Sequence, residues 1–307
     1  MIPVHPPVAV VPPYSGTIAE LVKAKRGRTI SVCLPALNEA DTIAPIVASI
    51  VRSLMAPAGP PLVDELIVLD DGSIDATAEL ADAAGACVVN VADVLPECGP
   101  GRGKGNVLWK SVAASTGDVI VWCDTDLTSF TPTYVTRLVA PLLYREHVDL
   151  VKAFYERPLD ESGQGGGRTT ELVARPLLSM FFPPLATIHQ PLGGECAARR
   201  GLLERIPFVE GYGVETGLLI DTLRLIGTRH MAQVDLGVRN HRHRTLVQLS
   251  EQASEITAVA LARAGMQLPD PLPPLLDANG AAHGVRVSER PALVDVAAYR
   301  ERARVTA

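Results

Sequence analysis

The segment from Val119 to Phe130, VIVWCDTDLTSF, limits the fold more than any other: five apolar residues run straight into two carboxylates, Asp124 and Asp126. Val119, Ile120, Val121, Trp122 and Cys123 read as a strand buried on both faces, the kind found in a sheet covered by helices on each side. The aspartates then fall at its carboxyl end, the edge at which open α/β sheets bind ligands. Two carboxylates there suit a hard divalent cation such as Mg²⁺ or Mn²⁺, which takes oxygen ligands and fills its other positions with water and substrate phosphate. Taken alone, the same residues also suit a solvated turn.

The flanking pattern supports such a sheet. ISVCLP, from Ile30, reads as a strand, and Ile43, Ile46, Val47, Ile50, Val51 and Leu54 form a helical stripe behind it, with Asn38 and Asp41 as candidate caps. LIVLDDGS places a second strand over 66–69 that ends in Asp70, Asp71 and Gly72. A helix over 76–84, a strand over 87–91, a glycine-rich loop over 99–105 and a helix over 106–115 lead back to the Asp-x-Asp strand. This alternation predicts an α/β fold with a mostly parallel, doubly wound sheet. The second half is less regular: a strand over 149–156, a GQGGGR loop, a helix over 169–182 and a tight turn at 192–195. Helices over 201–206 and 215–226, a strand over 231–238 and a helix over 246–264 follow.

Composition narrows the partners. At 307 residues and 47% hydrophobic, the chain can bury a large core as one α/β domain or two packed halves. A net charge of −6 without any Lys/Arg-rich run argues against nucleic acid. Cys33, Cys87, Cys98, Cys123 and Cys196 are scattered without a CxxC pair, which argues against a disulfide framework or zinc site and for the cytoplasm. The opening MIPVHPPVAVVPPYSG has no charged start and five prolines, so it does not read as a signal peptide. No run of about 18 apolar residues is present, so no membrane span is expected.

At the end of the first strand, Pro35-Ala36-Leu37-Asn38-Glu39 puts an amide and a carboxylate beside the Asp70-Asp71 turn, a set that suits a ribose and a pyrimidine. The loop GPGRGKG offers backbone that can approach phosphates closely, with Arg102 and Lys104 to neutralise them. It lacks the spacing of a P-loop, and no GxGxxG follows the first strand, which disfavours a dinucleotide fold. A sugar nucleotidylyltransferase needs a glycine-rich loop where this chain has PALNE.

ISVCLPALNE, LIVLDDGSIDAT, GKGNVLWKS and VWCDTDL, in this order, resemble the nucleotide-sugar half of glycosyltransferases of the GT-A fold. GGGRTTELVARPLLSMFFP, QPLGGECAARR, FVEGYGVETGLLID and LGVRNHRHR then resemble the glucosyl-3-phosphoglycerate synthases of actinobacteria, so that the likeness runs over residues 15–265. The resemblance implies transfer of glucose from UDP-glucose to the 2-hydroxyl of 3-phosphoglycerate with retention at the anomeric carbon, an early step toward methylglucose lipopolysaccharides. The chain then divides into four parts: a proline-rich N-terminal arm (1–28), expected to fold only against something else, a nucleotide-sugar-binding half (29–148), a smaller acceptor-binding half (149–266) and a Pro- and Ala-rich extended C-terminal tail (267–307).

Carried residue by residue, the resemblance places the UDP-glucose pocket on Pro35, Ala36, Leu37, Glu39, Asp70, Ser73 and Lys104, with Asp124, Leu192 and Gly193 toward the sugar and Gly194 bordering it. Asp126 and His241 would ligate the Mg²⁺ or Mn²⁺, with His243 as the alternative to His241. Glu215 corresponds to the acidic residue near the transferred glucose, and Asp124 and Glu215 are the catalytic candidates. Gly167, Arg168 and Thr170 would hold the 3-phosphoglycerate, since a guanidinium, backbone N–H groups and a hydroxyl are what a phosphate needs. Two other readings share the first half: a transferase acting on a polyprenyl phosphate, whose lipid Leu177 to Leu185 could touch although core or dimer packing suits them better, and a non-catalytic nucleotide-sugar sensor. Met180-Phe181-Phe182 and the proline-rich termini point to a homodimer.

Overall fold

The computed structural model describes residues 6–55, 59–156, 167–238, 246–277 and 279–306. In chain order the first half carries β1 (Ala9–Val11), α1 (Ile18–Lys25), β2 (Ile30–Ala36), α2 (Ile43–Ile50), β3 (Glu65–Asp70) and α3 (Thr77–Ala83). It continues with β4 (Cys87–Asn90), α4 (Gly103–Ala114), β5 (Val119–Trp122) and α5 (Thr133–Tyr144). The second half has β6 (Leu150–Glu156), α6 (Arg175–Phe181), β7 (Cys196–Arg199), α7 (Arg200–Leu203), β8 (Phe208–Val209), α8 (Val214–Ile226), β9 (Met231–Val238) and α9 (Leu246–Arg263).

Among the described residues, eight strands form one sheet in the order β1-β9-β6-β7-β5-β2-β3-β4, and only β7 runs against its neighbours. Alternate residues feed two cores. Val32, Leu34, Val119 and Val121 pack with α1, α2 and α5 on one face. Cys33, Ile120 and Trp122 pack with α4, α7 and α8 on the other. This is the doubly wound sheet that the apolar strands call for. From β2 the chain proceeds outward to β3 and β4, then returns to lay β5 on the other side of β2. The sheet therefore has its topological switch between β2 and β5, where ligands enter an open α/β sheet.

Both termini fold back on the chain itself. The arm expected to order only against something else places β1 parallel to β9 and becomes the short edge strand of the sheet. Its α1 starts with a capping box, in which Glu20 N–H donates to Thr17 Oγ1 at 3.3 Å and Thr17 N–H to Glu20 Oε2 at 2.8 Å. Rather than an extended tail, the C-terminal stretch forms strand β12 (Glu289–Arg290), after the hairpin of β10 (Leu275–Leu276) and β11 (Ala282–His283), and then helix α10 (Ala297–Thr306). β12 pairs antiparallel with β8 in a sheet of two strands. Asn38 does not cap α2. It adopts φ 57 and its Oδ1 accepts from Ile74 N–H at 2.9 Å, tying the β2 end to the loop after β3.

All five cysteines are free thiols, and three of them, Cys33, Cys123 and Cys196, are buried. Burial pushes the Cys33 thiol up to about 12 and the Cys196 thiol up to about 11. The thiolate is the reactive form, so an alkylating reagent at neutral pH is expected to label exposed Cys87 first. Mass-spectrometric mapping should find Cys33, Cys123 and Cys196 modified only after unfolding; rapid labelling of any of the three in the native chain would contradict the core described above.

Candidate active site

The parallel strands β2, β3 and β5 end at one edge of the sheet, where Ala36 is in register with Asp70 and Cys33 with Trp122. Pro35, Ala36, Leu37 and Glu39 therefore stand beside Asp70 and Ser73 on one side of the switch, with Asp124 and Asp126 on the other. Hydrogen bonds stitch the segments together. Thr125 Oγ1 donates to the Pro35 carbonyl at 2.8 Å, Asn38 N–H to Ser73 Oγ at 3.0 Å, and Ser73 N–H to Asp70 Oδ1 at 3.2 Å. Glu39 is anchored through its N–H to Thr77 Oγ1 at 2.8 Å. Burial, and then repulsion from Asp70, raise the carboxyl pKa of neighbouring Asp71. Leu37 lies half exposed, an apolar wall at the mouth of the cleft.

Three charges meet at the switch. Lys104 Nζ lies 2.7 Å from Asp124 Oδ1 and 3.0 Å from Glu215 Oε1, and the three side chains are 24%, 19% and 10% exposed. Lys104 is in the first turn of α4 and Glu215 in the first turn of α8. Burial works against the lysine charge, but the two carboxylates outweigh it and hold its pKa above the usual lysine value. Arg102 does not join this cluster. Its guanidinium is taken up by Glu255 at 3.0 Å and by the Arg286 carbonyl.

The turn expected to border the sugar arrives from the second half. Because β7 is antiparallel to β5 and β6, its amino end lies at their carboxyl edge, and the turn of Leu192, Gly193 and Gly194 that leads into it puts Gly194 beside Asp124. A Cβ on Gly194 would sit 2.1 Å from Asp124 Oδ1 and 2.4 Å from Lys104 Nζ, so only glycine lets the backbone come this close. Gly193 is held from within: Lys152 Nζ donates to its carbonyl, and a Cβ added to it would fall 2.8 Å from the Tyr155 hydroxyl. Burial lowers the pKa of Lys152, which is 3% exposed inside β6. A lysine in the otherwise apolar LVKAFY was the signal that could have marked it beforehand.

The Glycosyl transferase family 2 model matches residues 31–206. The chain belongs to that family. Among its family 2 relatives, the glucosyl-3-phosphoglycerate synthase of Mycolicibacterium smegmatis is 52% identical over 256 residues, 82% of this chain and 83% of that one. The synthase of Petrotoga mobilis is 46% identical over 252 residues, 80% and 77% of the two chains. The crystal structure of the Mycobacterium tuberculosis synthase with Mn²⁺, UDP-glucose and phosphoglyceric acid matches with a TM-score of 0.85 at 46% identity, over 95% of this chain and 99% of that one. The same enzyme with Mg²⁺ and UDP matches with a TM-score of 0.83 at 46% identity, over 93% and 98%.

On this family 2 fold the acceptor candidates occupy a separate turn. Gly167 adopts φ 80 and accepts from Glu171 N–H at 3.0 Å, while Thr170 is 2% exposed. The helix expected over 169–182 opens as one π-turn, Thr170–Ala174, before becoming α6, a departure common at functional sites. Glu171, the carboxylate in the same turn as Arg168, is engaged by Arg175 through bonds of 2.7 and 2.9 Å, which offsets its repulsion of an anion. The π-turn packs on α9, which also packs on Gly211–Gly213 just ahead of Glu215. His241 and His243 lie outside the described residues.

Gly194→Ala is expected to displace the Lys104–Asp124 pair and cut turnover by about 100-fold, the scale of a misplacement of about 1 Å. Steady-state kinetics beside a melting curve check this, and a variant with wild-type turnover would refute the close approach. Lys152→Met should free the Gly193 carbonyl and lower turnover more than UDP affinity, with Lys152→Arg restoring little because the buried space fits a lysine stem. Calorimetry with UDP, read against turnover, separates the two effects.

Proposed function

We propose that the chain transfers glucose from UDP-glucose to the 2-hydroxyl of 3-phosphoglycerate, giving glucosyl-3-phosphoglycerate. The observation that carries this reading is the match, over 95% of the chain, to a synthase whose crystals hold UDP-glucose and phosphoglyceric acid together. The geometry supplies a matching chemistry. Pro35, Ala36, Leu37, Glu39, Asp70 and Ser73 would take the uridine and ribose at the β2–β3 edge, and Lys104 would face the diphosphate. The glycine turn 192–194 would form the floor under the glucose, with Asp124 fixing its hydroxyls.

Cleavage of the glucose–phosphate bond places negative charge on UDP, and a lysine held charged at the site is poised to receive it without reorganising. The donors available suit a hard divalent cation: Asp126 is a half-buried carboxylate beyond the end of β5, and diphosphate and water would fill the positions the protein leaves open on such an ion. Asp126 would hold it together with His241, and the ion would add to the stabilisation of the leaving diphosphate. Retention follows from a front-face route. The C1–O bond to phosphate breaks, the acceptor oxygen bonds to C1 on the same face, and its proton passes to the departing phosphate oxygen. Glu215, engaged by Lys104 at 3.0 Å, serves this route as a fixed negative charge that stabilises the glucosyl cation.

Arg168, with the Gly167 and Thr170 backbone, would take the acceptor phosphate. No helix among the described residues is long and apolar enough to cross a membrane. We place the reaction in the cytoplasm, feeding methylglucose lipopolysaccharide synthesis, and the chain in a homodimer through the exposed Met180 face, 64% exposed. Sedimentation at micromolar concentration checks the dimer; a monomer mass would refute it.

Asp126→Ala, or a chelator added to wild type, is expected to abolish release of UDP from UDP-glucose with phosphoglycerate present. Full activity in either condition would remove the metal from the reaction. Arg168→Ala should raise the KM for 3-phosphoglycerate steeply while UDP-glucose binding stays near wild type, since losing one charged partner costs about 2–5 kcal/mol. An acceptor screen of 3-phosphoglycerate, glycerate and a polyprenyl phosphate decides the substrate. Equal use of glycerate, or preference for the lipid, would overturn the assignment.

A further inference from the structure

Arg290, in the stretch expected to be an extended tail, is 7% exposed and reaches Gly99 of the glycine-rich loop from 191 positions away in sequence. Its Nε donates to Asn106 Oδ1 at 2.9 Å, its Nη2 to the Gly99 carbonyl at 3.1 Å and its Nη1 to the Cys98 carbonyl. Asn106 Nδ2 donates in turn to the Pro100 carbonyl at 2.9 Å. Three successive carbonyls of the loop are thus gripped from one side. Across a trans peptide the N–H points opposite to the carbonyl, so the Gly101 N–H is turned away from the grip. Gly101 itself adopts φ 66, and a Cβ there would fall 2.0 Å from Arg290 Nη2.

The same guanidinium lies 2.9 Å from Glu210 Oε1 and 5.4 Å from the Trp109 ring, over its face. Glu210 is sewn to the tail by its N–H to the Ser288 carbonyl at 2.8 Å and by Ser288 Oγ to its Oε2 at 2.6 Å. Beneath it α4 begins so tightly that a Cβ on Gly105 would lie 1.8 Å from the Val209 carbonyl oxygen. Asn106 belongs to the first turn of α4 and Glu210 precedes α8. Arg290 therefore joins the starts of the two helices that carry Lys104 and Glu215, the junction that the Lys104–Glu215 ion pair also spans.

We propose that Arg290 is a positioning residue for the diphosphate end of the donor site: it clamps the loop 98–101 and sets the approach of α4 to α8, and so holds Lys104 where it meets UDP. Arginine is required because only a planar fork with five donors reaches two carbonyls, an amide and a carboxylate at once. The inference rests on the glucosyltransferase reading and concerns a residue outside the substrate pocket.

The test uses the full chain as Arg290→Ala and Arg290→Lys, with UDP titrated calorimetrically in the presence of Mn²⁺ and kinetics on both substrates. Expected for Arg290→Ala is a loss of about 100-fold in kcat/KM for UDP-glucose with weaker UDP binding. The KM for 3-phosphoglycerate should stay near wild type, and free guanidinium ion should restore part of the loss. Arg290→Lys keeps a cation beside Glu210, so it maintains the fold if Arg290→Ala does not, and it should still lose UDP affinity because it cannot grip the loop. A folded variant with wild-type UDP binding overturns the proposal, as does a loss that falls equally on both substrates and ignores guanidinium. Failure of the wild-type chain to bind UDP would instead overturn the transferase reading, and the same titration registers that separately.

Discussion

The direction of β7 decides where the chemistry can occur. β7 is hydrogen-bonded to β5 and β6 and opposes both, whereas all other neighbours in the sheet are parallel. A parallel strand in that place would deliver its preceding turn to the far edge of the sheet. Reversed, it brings Gly193 and Gly194 to the ends of β5 and β6, against Asp124 and above Lys152. The first and second halves of the chain thus meet over one glycine backbone, and the contact of Gly194 with Asp124 and Lys104 exists only because both are present.

The electrostatics follow from that closure. Lys104 sits between Asp124 and Glu215 with little access to water, and two carboxylates offset the cost of burying one ammonium. Removing either carboxylate weakens the lysine charge, and removing the lysine leaves two negative groups together. A diphosphate and a hard cation entering such a cluster would meet charges that are already in place, as in a preorganised site that lowers a barrier. Arg102 cannot serve in the same way, for its charge is spent on Glu255 at 3.0 Å.

Both ends of the chain complete this arrangement. β1 covers the edge of β9, and Val8 and Val11 are buried there, so the sheet ends in a strand of three residues instead of the long β9. At the other end, β12 pairs with β8, and Trp109 Nε1 donates to the Pro291 carbonyl at 2.8 Å. The C-terminal stretch is consequently part of the wall behind α4.

Much of the fold was legible in the sequence, because strands buried on both faces must be apolar throughout. ISVCLP, LIVLD and VIVWC announce β2, β3 and β5, and the carboxylates that follow can stand only at the sheet edge. Local grammar also marked Glu215 at a helix start and the glycines of the 99–105 loop. What the sequence could not disclose were relations between segments far apart. Asn38 looks like a cap but bonds to Ile74, and Arg102 looks like a phosphate ligand but bonds to Glu255, since a polar side chain takes whichever partner the packing offers. Lys152 and Gly194 acquire meaning only once β6 and an antiparallel β7 stand side by side. The sequence by itself determined the alternation of elements and the chemistry at each strand end. The tertiary structure alone decided which of those ends meet, because strand direction and chain return are set by the burial of two whole cores rather than by any local run of residues.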